Sequence, residues 1–347
     1  MWAVPHWLES ASEADMQIHS HVLKCAVYLC LKTERDYIPI GTGFIVNYTD
    51  DDLDFGYIIT CSHVVKPRLK DGSRNESDIW LSINTKEGPP RYIKTTRGDW
   101  TPHIDGVDAC VIGCDDSWDN DNQLDTGPLS QGVIGTPEKE TRAGMALGDG
   151  VFLAGLFVGR PGERKNIPVV RVANIASMPI EPAWPSSPKR PIFLIETKSL
   201  GGTSGSPIFL NADQFHRVAR PRVAPIDPKT GGVILPYLLI GMMQGAHGGH
   251  FADEFVIEDD GPKIPKDADF NAGIGIGIPI QQICEIFEYD SMKAERKASI
   301  ALRRQRSGYR PTSAGAAAKD EGNPSHREDF TSLLNAAAKK KSQDDQT

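Results

Sequence analysis

The sequence predicts an all-β chain, folded as a sandwich or as barrels and closed by a C-terminal helix. Three observations carry that expectation. From Val22 to about Ile278 the chain is a series of short β-rich runs separated by Gly, Pro, Asp and Asn. Strand and helix do not alternate regularly, which argues against a doubly wound sheet. Sustained helical spacing begins only at Pro279.

In chain order, residues 1–21 are polar and mixed and are read as an N-terminal arm. Strand-like runs follow at 25–31, 43–46, 57–60, 79–83 and 109–112. A second group covers 151–156, 168–172, 191–195, 207–210, 237–243 and 272–278. The acidic run 50–54 lacks a calcium-loop pattern and reads as a solvated hairpin. PIQQICEIFEY then places Ile280, Ile283, Cys284 and Phe287 on one helical face, with Pro279 in the first turn. A basic stretch from Met292 to Arg306 continues as helix. Residues 307–324 hold one aromatic and no large aliphatic side chain, too little apolar surface to offset chain entropy, and are expected to be a disordered linker. Beyond it, Asp329 can cap a short helix with Phe330, Leu333 and Leu334 as an apolar stripe and Lys339–Lys341 at its end. The expected organisation is an arm at 1–21, a β-rich body at 22–290 and a basic tail at 291–347.

Composition narrows the function. The 347 residues carry 38 Lys/Arg against 46 Asp/Glu, a net charge of −8. Residues 291–347 hold a surplus of five positive charges, which leaves −13 on residues 1–290. An acidic body argues against nucleic acid as the main ligand. The longest apolar runs, such as 150–159, reach about ten residues, half of the roughly 20 a membrane span needs. MWAVPHWLES has no basic region followed by an apolar stretch, so a cytoplasmic protein with reduced thiols is expected, despite six cysteines. His19, His21 and Cys25, or Cys110 with Cys114, have no second ligand pair at zinc spacing, and no metal or organic cofactor is expected.

Three segments combine into one chemistry. YIITCSHVV puts His63 at the end of an apolar strand, DGVDACVIG puts Asp108 at the start of another, and SLGGTSGSPIF puts Ser204 in a glycine-rich turn. A serine hydroxyl needs a base within hydrogen-bond reach, and an imidazole with an ordinary pKa of about 6.5 is the right type. Asp108 would fix the imidazole tautomer and offset its developing charge. Asp105 is a rival, but it lies in the turn before the ACVI strand, whereas Asp108 adjoins it. A tetrahedral oxyanion needs converging N–H groups, which a Gly-x-Ser turn supplies from Gly202 and Ser204.

These motifs resemble the chymotrypsin-fold serine peptidases, most closely bacterial trypsin-like peptidases of the HtrA and glutamyl-endopeptidase (V8) type. GTGFIV is similar to their opening strand, TCSHVV to their histidine motif, DACVIG to the aspartate motif and TSGSPIF to the nucleophile motif. ALGDGVFLAGLF and NAGIGIGIPIQQI resemble later strands of the same domain, so the likeness covers residues 22–290. It implies two six-stranded antiparallel barrels with the triad between them, and peptide-bond hydrolysis on a protein or peptide substrate. Thr203 stands where secreted trypsins carry the aspartate that pairs with a newly cut N-terminus, so activation by that salt bridge is not expected. No PDZ-like region follows residue 290. Lys198, six residues before the nucleophile, and His247, four residues after Met243, are candidates for a substrate pocket that reads an acidic P1 side chain.

Two other readings stand beside the endopeptidase. A pseudoprotease would keep the fold as a protein-binding module. An esterase would need a G-x-S-x-G elbow between strand and helix, which is missing. Because an unrestrained protease is hazardous to its cell, tight specificity or activation by a partner is expected. The N-terminal arm or the C-terminal tail is the candidate docking element for a regulatory protein partner.

Overall fold

A computed structural model describes residues 20–66, 78–157, 162, 165–180, 190–197, 202–211, 237–246, 256–258, 261–263 and 273–306. The expected arm up to residue 19, the linker at 307–324 and the helix at 329–341 lie outside these residues. The chain divides into two compact units, Met1–Ile300 and Ala301–Thr347.

In the first unit, α1 (Ser20–Lys24) leads into β1 (Ala26–Lys32), β2 (Tyr37–Asp50) and β3 (Leu53–Thr60). After the single turn α2 (Ser62–Val65) come β4 (Ile79–Ile83), β5 (Arg91–Thr95), β6 (Thr101–Pro102) and β7 (Cys110–Gly113). They form one seven-stranded sheet in the order β5-β4-β1-β2-β3-β7-β6, antiparallel throughout. Beyond α3 (Pro137–Arg142) lie β8 (Gly150–Gly155), β9 (Val169–Ile180), β10 (Ile192–Glu196), β11 (Pro207–Asn211) and β12 (Tyr237–Ala246). A small hairpin, β13 (Val256–Glu258) with β14 (Gly261–Lys263), precedes β15 (Ile274–Pro279). β10-β15-β12-β11-β8-β9 close into a six-stranded barrel.

The all-β class and the second barrel match the sequence expectation. The first half differs in detail: it is a seven-stranded sheet, not a closed six-stranded barrel. Its extra strands come from RYIKT at β5 and from Thr101–Pro102. In β5 only Ile93 and Thr95 are buried, so the alternation rests on one apolar residue and is hard to see in the sequence.

Several strands are buried on both faces, which explains their unbroken apolar runs. In β8, Val151 and Leu153 point into the barrel core with Ile208, Leu210 and Ile240. Phe152, between them, joins Phe209, Tyr237 and Leu239 in the core shared with the first sheet. Phe152 stacks on Phe209 with ring centroids 5.0 Å apart, and Tyr237 stands edge-on to both. The acidic run forms the β2–β3 hairpin, where Asp51 and Asp52 take φ of 51° and 62°, the left-handed conformation of a two-residue hairpin turn.

Helix α4 (Ile280–Cys284) begins one residue later than expected, because Pro279 still pairs with Gly241 as the last residue of β15. The chain then tightens into a 3-10 turn at Glu285–Glu288, which buries Ile286 together with Ile280, Ile283 and Phe287. α5 (Asp290–Arg306) packs onto the sheet through Met292, Arg296 and Ile300. The buried Arg296 guanidinium donates to Asp50 Oδ2 at 2.8 Å and to the Phe287 carbonyl at 2.7 Å, and it lies over the Tyr48 ring at 4.6 Å. Residues 292–300, placed in the tail by the sequence, therefore pack on the first unit.

Candidate active site

Strand register brings the first two residues together. β3 and β7 are neighbours, and Thr60 lies opposite Cys110. The chain three residues after Thr60 and the chain two residues before Cys110 therefore emerge at the same edge. His63 sits in the α2 turn, whose Val64 and Val65 are buried. Gly41 makes room for that turn, since a Cβ there would meet Val64 Cγ1 at 2.5 Å.

Asp108 grips His63 twice. Its Oδ1 accepts the His63 backbone N–H at 3.0 Å, and its Oδ2 lies 2.6 Å from Nδ1. Burial pushes the Asp108 carboxyl up. The His63 imidazole, the His63 N–H and the Gln244 side chain together outweigh it and hold the carboxyl below the usual carboxylate range. An ionised Asp108 fixes the proton on Nδ1 and leaves Nε2 as the basic nitrogen. The rival carboxylate, Asp105, is paired with Arg190 Nη2 at 2.5 Å.

Ser204 comes from the other half of the body. It occupies the turn before β11, between Gly202 at φ 92° and Gly205 at φ 84°. The residue is 2% exposed. Its hydroxyl donates to the Gln244 carbonyl at 3.0 Å. Neighbouring atoms of β12 reach the other two segments: the Met243 carbonyl accepts from Gly205 N–H at 2.8 Å and from the Cys61 thiol at 3.3 Å. Residues 243 and 244 of β12 therefore touch all three segments that the sequence singles out.

Gln244 and the role of the Met243 carbonyl carry no signal in the sequence. The reason is physical. Most of these contacts run through backbone groups, which residue identity does not reveal. Lys198 and His247, the pocket candidates, lie outside the described residues.

Cys61, His63 and Asp108 form the one described group whose ligand atoms, all within 4.8 Å of one another, could hold a metal ion. The fit is poor. Nδ1 and Oδ2 at 2.6 Å are at hydrogen-bond distance, whereas two ligands of one tetrahedral ion with bonds of about 2.0 Å stand about 3.3 Å apart. The Cys61 thiol is also turned to the Met243 carbonyl.

No family model matches the chain, and no curated protein matches it. Among solved structures it is similar to the MamO protease domain of Magnetospirillum magneticum in its apo form, at 15% identity and a TM-score of 0.44, covering 77% of this chain and 98% of that one. It is also similar to the Rv3671c protease of M. tuberculosis. The inactive form gives 14% identity and a TM-score of 0.41 over 78% of this chain and 90% of that one. The active form gives 15% and 0.40 over 78% and 82%. Among the described residues, no helix is long and apolar enough to cross a membrane.

Proposed function

We propose that the chain is a serine endopeptidase in which His63 is the general base, Asp108 orients it and Ser204 is the nucleophile. The observation that carries this reading is the double contact of Asp108 with His63, with Gln244 bonded both to Asp108 through its side chain and to the Ser204 hydroxyl through its carbonyl. For attack, the Ser204 hydroxyl has to leave the Gln244 carbonyl and donate to Nε2 instead. Oγ then bonds to the scissile carbonyl carbon while its proton passes to Nε2. The carbonyl π pair moves to oxygen, which takes hydrogen bonds from the Gly202 and Ser204 N–H groups. When the intermediate collapses, the C–N bond breaks and the leaving amine takes the proton from Nε2. Water then adds to the acyl carbon as the same nitrogen takes its proton; the C–Oγ bond breaks, the acid leaves and Oγ takes the proton back from Nε2.

The test is hydrolysis of a peptide library. Wild type should cleave it and Ser204→Ala should not. Equal cleavage by both would place the chemistry elsewhere. Enrichment of Asp or Glu at P1 would support Lys198 or His247 as pocket residues.

One observation favours a binding module instead. A hydroxyl has a single hydrogen, and that of Ser204 is given to Gln244. In a module with no catalytic role the serine would stay there, and no substrate would turn over.

A further inference from the structure

We infer that Thr42 is a positioning residue that aims the oxyanion-binding turn at the sheet carrying His63; the inference rests on the serine-hydrolase reading above. The Ser204 N–H belongs to the peptide joining Thr203 to Ser204. The peptide before it carries the Gly202 carbonyl, and the peptide after it carries the Ser204 carbonyl. Thr42 holds both. Its hydroxyl donates to Gly202 O at 2.8 Å, and its N–H donates to Ser204 O at 2.9 Å.

The turn also has a bond of its own, from the Ser206 N–H to Thr203 O at 2.9 Å. That bond fixes the turn's internal shape but not its direction. The Gly205 N–H ties the turn to β12 through the Met243 carbonyl, and Thr42 ties it directly to the sheet that leads into His63. Thr42 lies on β2, next to β3, whose end leads into His63. A donor to an oxyanion helps only if it is aimed where the charge will develop, so the link from turn to His63 sheet bears on the rate.

Thr42 is itself tightly held, as an aiming element must be. The residue is fully buried. Its hydroxyl accepts the Leu156 N–H at 2.8 Å, and its carbonyl accepts from the Thr60 hydroxyl at 2.7 Å. Close approach is possible because Gly205 and Gly155 lack side chains. A Cβ at 205 would meet Thr42 O at 1.9 Å, and one at 155 would meet Thr42 Oγ1 at 3.1 Å.

Two measurements test the inference on the full chain: the rate at which a fluorophosphonate labels Ser204, and amide hydrogen exchange over residues 202–206. Labelling forms an Oγ–P bond, expels fluoride and passes the hydroxyl proton to His63. Thr42→Val should label about 100-fold more slowly, since loss of an oxyanion donor typically costs 10²–10³ in rate. It should also exchange faster over 202–206. Thr42→Ser, which keeps the hydroxyl, should restore both. The control is Thr95→Val, which removes an equally buried hydroxyl that donates to the Ile79 carbonyl at 2.9 Å in the first sheet. That variant should lose stability but label at the wild-type rate. The inference is overturned if Thr42→Val exchanges like wild type over 202–206, or labels no more slowly than Thr95→Val. If wild type itself never labels, the hydrolase reading fails separately, and the exchange comparison alone decides whether Thr42 sets the turn.

Discussion

Asp108 is the residue on which the site's electrostatics turn. Its carboxylate meets both the ring and the main chain of His63, so replacing it with the isosteric amide should leave the fold and spoil the tautomer. Asp108→Asn is expected to lower kcat by about 10⁴-fold and to lower the melting temperature near pH 7, where the ionised carboxylate contributes its full stability. A kcat within tenfold of wild type would remove Asp108 from the mechanism. The same carboxyl makes a pH prediction. Because its pKa is lowered in the folded state, it adds stability above the unfolded value of about 4. That contribution is lost as pH falls through the lower folded value. Acid unfolding monitored by circular dichroism should therefore show a weaker acid limb in Asp108→Asn. At this scale the sequence is most legible: motif spacing marks His63, Asp108, Ser204 and Gly202. It does not mark Gln244 or Thr42, because a carbonyl or a buried hydroxyl at a strand crossing leaves no pattern in one dimension.

Turns decide how well the elements meet. Gly205 combines a φ of 84° with a backbone oxygen only 1.9 Å from where a Cβ would stand. Gly205→Ala should therefore destabilise by more than the ~1 kcal/mol expected from the left-handed φ alone, and should abolish any Ser204 reactivity. Normal stability in urea titration would show that the turn is looser than described. The β2–β3 hairpin makes the opposite case. Asp52 is exposed and sits at φ 62°, so Asp52→Gly relieves backbone strain without opening a hole in the core. We expect stabilisation of about 0.5 kcal/mol, and destabilisation of the same size would contradict the turn assignment. The strands themselves are legible where both faces are apolar, as in β8 and β11. The charged β5 is not, because its single buried isoleucine gives no periodicity to detect.

On the scale of the whole molecule, the C-terminal helices are tied to the first sheet. Arg296 joins the β2 hairpin, the 3-10 turn and the Tyr48 ring from one buried position. Arg296→Ala should cost about 3 kcal/mol, since it leaves Asp50 and the Phe287 carbonyl without their donor. A loss below 1 kcal/mol in chemical denaturation would mean that α5 contributes little to the body. The sequence locates this helix but assigns it to the tail, because Arg in a basic run resembles solvated charge until its partners, 246 and 9 residues away, are known. In the proposed mechanism Ser204, served by His63, is the activated nucleophile. The most direct measurement is mass spectrometry of the intact chain and its peptides after treatment with a fluorophosphonate. A single adduct on Ser204 is expected, absent in His63→Ala and Ser204→Ala. No adduct in wild type, or an adduct on another residue, would contradict it.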